Sequence, residues 1–146
     1  MNKFVILFLN ILSILCFLSC GTHNQDSQAI SEIREAVDKA NSACPVYLDM
    51  GNDVTLMSVK YYDDKVVYDY KVKDFNDNLV ANMDDIKTGL LYMCKAEMQA
   101  SPENKIFFGN IIKTGTRLIY YYHADSGKSF SIEMTKDDLE RVIGTH

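Results

Sequence analysis

The chain has 146 residues, a formal net charge of −5 at pH 7 and no tryptophan. An acidic balance of this kind argues against nucleic acid and against an anionic membrane surface as partners. The length that remains beyond an N-terminal apolar segment suits a single domain with one modest hydrophobic core.

The N-terminal segment is typical of a secretory signal. Lys3 supplies one positive charge, and residues 4–18 are apolar apart from Asn10 and Ser13. A straight helix of this length would cover only about 22 Å of a hydrocarbon core roughly 30 Å thick, so it is too short to span a bilayer comfortably. We therefore predict that residues 1–19 form a signal peptide.

The signal ends in the letters FLSCG at residues 17–21. This stretch resembles a bacterial lipobox, in a looser form similar to those of Bacteroidetes because Phe17 replaces the commoner leucine. The resemblance implies that Cys20 becomes the first mature residue and carries acyl chains, which would fix residues 20–26 to a membrane as a tether. Gly21, where an aspartate would favour the inner membrane, favours the outer membrane, facing the periplasm or the cell surface. An ordinary signal peptide cut nearby and an uncut anchor are the alternatives.

Two cysteines remain for the exported domain once Cys16 leaves with the signal and Cys20 carries the lipid. In an oxidising envelope a pair such as Cys44 and Cys94 most often forms a disulfide. Closing a loop of about 50 residues would stabilise the domain by roughly 4 kcal/mol on the chain-entropy account. A buried free pair and a redox couple are the alternatives, although the chain has no CxxC motif.

Residues 27–146 are predicted to form one domain that begins with a helix and a hairpin. Apolar residues recur at helical spacing from Ile30 to Ala40, and Pro45 ends this helix. Residues 54–62 and 65–73 are rich in β-branched and aromatic residues on either side of an Asp-Asp turn, which is typical of a hairpin. The short segment 46–50 is a candidate edge strand.

The second half of the domain repeats this order. Helical spacing returns over residues 80–98, and Ser101 with Pro102 begins a further helix. Residues 116–124 and 128–134 form a second hairpin, and a last helix follows from Thr135. The order predicts an α+β fold, in which two hairpins form a four- to five-stranded antiparallel sheet with helices packed mainly on one face.

No catalytic, metal-binding or nucleotide-binding signature stands out. His123 is the only histidine in a predicted strand or helix, and no second ligand lies at metal-binding spacing. Turn and capping roles account for the adjacent aspartate pairs. We therefore expect no metal, no cofactor and no enzymatic activity.

Tyrosines on the predicted strands are the most suggestive feature. Strand alternation points Tyr121 away from Tyr120 and Tyr122 and forces one residue of each adjacent pair outward. An outward band of Tyr62, Tyr121 and His123 is therefore a candidate binding face, since tyrosine combines a large contact area with a polar tip. The alternative is that these tyrosines only reflect strand propensity.

The first functional hypothesis is a non-enzymatic envelope lipoprotein that binds a protein partner, as an immunity protein, inhibitor or assembly factor does. The alternative is an accessory lipoprotein that binds a glycan or nutrient. The Cys44-Pro45 junction, the hairpin TLMSVKYYDDKVVYDYKV and the strand RLIYYY resemble small exported Bacteroidetes lipoproteins of unknown function. That resemblance carries over no functional residue.

Overall fold

The structure is a computed structural model that describes residues 25–49, 54–73, 75 and 82–143. The predicted signal peptide, residues 1–19, and the lipidation site Cys20 lie outside these residues. The first helix begins at Gln25, which is inside the predicted tether of residues 20–26. Among the helices described, none is both long and apolar enough to cross a membrane.

The described residues form four helices and five strands, close to the predicted order. In chain order they are α1 (Gln25–Ser42), β1 (Val46–Asp49), β2 (Val54–Tyr62), β3 (Lys65–Val72), α2 (Met83–Ala100), α3 (Pro102–Thr114), β4 (Arg117–Ala124), β5 (Ser129–Met134) and α4 (Lys136–Ile143). Ser101 caps α3 by accepting a hydrogen bond from the Asn104 backbone N–H, and proline occupies the first turn.

The strands form a single sheet in the order β1-β2-β3-β4-β5. Both predicted hairpins are present as antiparallel pairs, and β1 adds an antiparallel edge strand to β2. However, β3 and β4 pair in parallel, so the prediction of a purely antiparallel sheet is wrong and the sheet is mixed. The reason is the connection, because α2 and α3 carry the chain back from the end of β3 to the start of β4.

A β-bulge adjusts which side chains of β2 face the core. Leu56 pairs with Tyr70 and Ser58 with Asp69, so Met57 is an extra residue in β2. Leu56 and Val59 are consequently both buried although they are three positions apart. Strand β1 pairs with β2 only as far as Leu56. At Val59, the backbone N–H instead donates a hydrogen bond to Asn41 Oδ1 at 3.1 Å, so this N–H at the edge of the sheet still has a partner.

All four helices contribute to one core on one face of the sheet, as predicted. Helix α1 packs on β2 and α3, and α2 packs on α3, α4 and β5. The residues with no solvent exposure come from three helices and three strands: Ile33, Val66, Ile111, Leu118, Met134 and Leu139. Burying such side chains supplies most of the favourable free energy of folding in a domain of this size.

A row of stacked rings crosses the covered face of the sheet. Tyr68 and Tyr120 have ring centroids 4.9 Å apart, and the Tyr70–Tyr122 and Tyr122–Phe130 pairs have the same spacing. Stacking of this kind adds about 0.5–1.5 kcal/mol per pair beyond the buried area. All four tyrosines in this row pack against the core, and Tyr120 and Tyr122 thus point away from Tyr121, as strand alternation predicts.

The turn from α3 into β4 yields a stability prediction. Gly115 ends α3 with a φ of 68°, and the N–H groups of Gly115 and Thr116 donate to the carbonyls of Ile112 and Ile111. We expect Gly115→Ala to lower the free energy of unfolding by about 1 kcal/mol in urea titrations, because a Cβ disfavours the left-handed conformation.

Gly109→Ala is the matched control. Gly109 lies within α3, and a Cβ added there meets no atom within 4 Å. This variant should be more stable than the parent by about 0.5–1 kcal/mol, since alanine is the better helix former. Equal effects of the two substitutions would contradict the assigned turn geometry.

Candidate functional site

The second face of the sheet is not covered by any described helix, and we call it the open face. Its outward side chains alternate with the core residues along each strand. Four of the large apolar side chains on it are exposed: Tyr47 by 71%, Met57 by 39%, Tyr62 by 47% and Tyr121 by 37%. Val67 and Ile119 pair side by side at its centre and are half-buried.

The predicted candidate residues Tyr62, Tyr121 and His123 all lie on the open face. The rings of Tyr121 and His123 stack with centroids 5.8 Å apart. Tyr62 pairs with Lys65 on β3, and Lys65 pairs with Arg117 on β4. Arg117 lies four positions before Tyr121 on β4. That separation is about 13 Å along the strands and about 10 Å across them, so Tyr62 lies about 16 Å from Tyr121. The three side chains therefore form two patches rather than one.

Several outward side chains of the open face are cationic. Lys60, Lys65, Lys71 and Arg117 point outward from β2, β3 and β4, against the carboxylates of Asp69 and Glu133. Arg117 and Lys71 are paired with carboxylates, so Lys60 and Lys65 are the cations of this face that have no ion-pair partner among the described residues. A positive patch of this kind attracts an acidic partner surface and raises its rate of association.

Ion pairs at both ends of the open face join its strands and turns. Arg117 contacts Asp64 at 3.1 Å and Glu133 at 3.2 Å, so it joins the β2–β3 turn to β5. The hydrogen bond from Arg117 lowers the pKa of Asp64, which keeps this exposed carboxylate charged. At the other end Lys71 contacts Asp125 at 2.7 Å. Among the described residues Lys60 has no ion-pair partner and remains available to a second molecule.

His123 is held by a neighbouring strand rather than by a metal site. Its Nε2 lies 3.1 Å from Oδ1 of Asp69, a buried atom that accepts no well-aligned hydrogen bond. This contact becomes an ion pair only when the imidazole is protonated. Within the described ranges no three His, Cys, Asp or Glu side chains are grouped so that they could hold a metal ion.

A pocket of about 120 Å³ lies on the covered face, between α2 and the sheet. Side chains of α2, β1, β3 and β4 line it: Leu90, Met93, Cys94, Glu97, Leu48, Tyr70, Tyr120 and Tyr122. Most of this lining is apolar or aromatic. We call it the α2 pocket.

Among the described residues that line the α2 pocket, Glu97 is the one carboxylate. Leu90, Cys94 and Glu97 follow one another at helical spacing, so the carboxylate occupies the stripe of α2 that faces the sheet. Burial raises the pKa of Glu97 to about 7. Its carboxylate has no hydrogen-bond or ion-pair partner in the described part of the chain. Glu97 was not predicted as a site residue, although its phase relative to Leu90 and Cys94 was a usable signal.

The other polar groups of the α2 pocket stay protonated at neutral pH. Cys94 Sγ lies 3.6 Å from the Tyr120 hydroxyl, and burial raises the pKa of Cys94 to about 12. Burial likewise raises the pKa of Tyr122 to about 12 and the pKa values of Tyr70 and Tyr120 well above the ordinary value. The pocket thus combines neutral hydroxyl and thiol groups with a single group that titrates near neutrality.

The structure contains no Cys44–Cys94 disulfide, contrary to the prediction, and both residues are free thiols. Cys44 Sγ donates to the Ala40 carbonyl at 3.5 Å, so its side chain turns back onto the last turn of α1. Cys94 instead points at Tyr120 beneath α2. A disulfide needs two Cβ–Sγ vectors that converge, and a spacing along the chain does not specify their directions.

Comparison with known proteins supports the fold alone. No protein-family model and no curated protein matches this chain. Among solved structures, the chain is similar to a crystal structure described as a "putative secreted protein (PA3611)" from Pseudomonas aeruginosa, with a TM-score of 0.60 and 10% sequence identity. The match covers 82% of this chain and 99% of that one.

Glu97 makes stability depend on pH in an unusual direction. Its folded-state pKa of about 7 lies above the ordinary value of 4.5, so stability falls as the pH rises from about 4.5 through 7. We expect Glu97→Gln, which stays neutral, to raise the free energy of unfolding at pH 8 by about 2 to 3 kcal/mol and to have little effect at pH 4. Urea titrations at the two pH values measure the difference.

The matched control is Glu35→Gln on the exposed side of α1. This substitution should change stability by less than about 0.5 kcal/mol at either pH. A loss of stability on Glu97→Gln at pH 8 would show that the carboxylate has a stabilising partner.

Proposed function

We propose that this protein is a non-enzymatic protein of the bacterial envelope that binds a protein partner through the open face of its sheet. One observation carries the proposal. Four helices bury one face of a five-stranded sheet, while the other face exposes aromatic and cationic side chains. The exposed tyrosines and the exposed methionine of this face belong to residue types that are enriched in protein interfaces.

The arrangement on the open face fits a partner with an acidic rim. Val67 and Ile119 supply an apolar centre, and Tyr121 beside them supplies the large contact area of an interaction hot spot. Cationic side chains at Lys60 and Lys65 lie towards the Tyr62 end of the same face. Complementary charge would steer the encounter, and the aromatic contacts would supply most of the affinity. An immunity protein, an inhibitor or an assembly factor would each use such a face.

A glycan or nutrient is the second candidate ligand. The stacked rings of Tyr121 and His123 form a flat platform on which a sugar could lie. The α2 pocket, at about 120 Å³, is well below the roughly 300–1,000 Å³ of ordinary ligand pockets, so a sugar would have to bind on the open face. A glycan panel that gives no shift in melting temperature would eliminate this candidate.

Export and lipid anchoring are part of the proposal. The apolar segment at residues 4–18 and the similarity in fold to a protein described as secreted support export. The lipobox-like residues 17–21 support acylation of Cys20, and Gly21 favours the outer membrane. On this proposal the residues between Cys20 and α1 hold the domain next to the membrane, where it meets its partner.

The open face can be tested by capturing partners with the full acylated chain in its own host. We expect Tyr121→Ser to reduce the recovery of a specific partner by about tenfold or more, because a central aromatic anchor is lost. Lys60→Glu should weaken capture most at low salt, where the steering charge matters. Quantitative mass spectrometry of the captured proteins measures both effects.

Tyr92→Ser is the control for the loss of an exposed tyrosine. Tyr92 is 65% exposed on α2, on the helical side of the sheet. Its variant should recover the partner as well as the parent does. If all three variants capture the same proteins to the same extent, the open face is not the binding surface.

Anchoring has its own test at Cys20. The mature protein should begin at an acylated Cys20, and Cys20→Ser should shift the protein out of the detergent-extracted membrane fraction. Intact-mass measurement of the purified chain detects the acyl chains directly. A mature chain that retains residues 1–19, or one that begins elsewhere without lipid, would contradict the assignment.

A further inference from the structure

The α2 pocket is lined by one carboxylate for which the described residues supply no counter-charge. The Glu97 carboxylate reaches it from α2, and no described cation contacts this carboxylate. The side chains around it are aliphatic, aromatic or neutral hydroxyl and thiol groups. Glu97 is half-buried there, so its ionised carboxylate loses part of its hydration, and a cation beside it recovers some of that cost.

We propose that the α2 pocket binds a small organic cation, a protonated aliphatic amine, with the Glu97 carboxylate as its counter-ion. The ammonium group would donate to Glu97 and to the tyrosine hydroxyl oxygens that line the pocket. The alkyl chain would pack on Leu48, Leu90 and Met93. Nothing in the proposed partner binding requires this site, which lies on the opposite side of the sheet from the open face.

The volume of the pocket sets the size of the amine. A dry protein cavity of about 150 Å³ holds one benzene molecule, which has six non-hydrogen atoms, so a pocket of about 120 Å³ accommodates about five. An alkylammonium ion of four carbons meets this limit. Larger amines would have to leave part of their chain outside, and a sugar does not fit.

The chemistry of the lining selects a cation over other small molecules. An anion would face the Glu97 carboxylate and be repelled. A neutral alcohol of the same length could fill the pocket but would leave the charge uncompensated. Tyr68, Tyr70, Tyr120, Tyr122 and Cys94 face Glu97 from β3, β4 and α2, and the pKa of each lies well above neutrality. Glu97 alone among these groups changes charge between pH 6 and pH 8.

Calorimetric titration of the full chain in a non-ionic detergent tests the proposal. The probes are n-butylammonium, butan-1-ol and butyrate, which share a length and differ in charge. We expect saturable binding of n-butylammonium at pH 8 and at least tenfold weaker binding of the other two. Because the Glu97 pKa is about 7, the affinity for the amine should fall about tenfold from pH 8 to pH 6.

Variants assign the effect to Glu97. Glu97→Gln should reduce amine affinity at least tenfold and leave the affinity for butan-1-ol unchanged. Two controls, Glu35→Gln on the exposed side of α1 and Tyr121→Ser on the open face, should bind the amine as the parent does. The proposal is overturned if n-butylammonium gives no saturable binding to the parent, if butan-1-ol binds as tightly, or if Glu97→Gln binds the amine normally. If a variant folds poorly, the pH dependence of amine binding to the parent protein still tests the proposal.

Discussion

The parallel pairing of β3 with β4 is the constraint on which the rest of the structure depends. It requires a crossover, and α2 and α3 supply one that returns the chain from one end of the sheet to the other. The crossover helices then cover the face on which Tyr68, Tyr70, Tyr120 and Tyr122 stack. Because the same helices leave the other face uncovered, a single pairing determines both the core and the open face.

Local patterns predicted the parts of the fold that depend on neighbouring residues. Period-two alternation placed Tyr120 and Tyr122 inward and Tyr121 outward, and the turn residues located both hairpins. The same alternation does not indicate which strands of the two hairpins pair with each other, so it could not distinguish a parallel from an antiparallel pairing. Strict alternation would also place Leu56 and Val59 on opposite faces, whereas the bulge at Met57 adds one residue and leaves both on the same face.

Local sequence patterns were equally limited in predicting the candidate sites. Tyr62 and Tyr121 could be assigned to one face from the sequence, but their separation depends on the register across three strands. The direction of the Cys44 side chain could not be predicted from the sequence either, and this side chain turns onto α1 instead of towards Cys94. Glu97 was missed for a different reason. A glutamate in the stripe of a helix that faces the core contradicts the expected pattern, and such a contradiction is itself a sign of function.

The unpaired charges at the two candidate sites have opposite signs. The open face carries cations whose counter-ions lie at its margins, such as Asp64 and Asp125. The described residues that line the α2 pocket on the covered face include one carboxylate and no cation. Strand β4 contributes to both, since Tyr121 points outward between Tyr120 and Tyr122, which point into the pocket. The two sites therefore share a backbone but no side chain, so their electrostatic preferences oppose each other: the open face favours an acidic surface, and the pocket favours a cation.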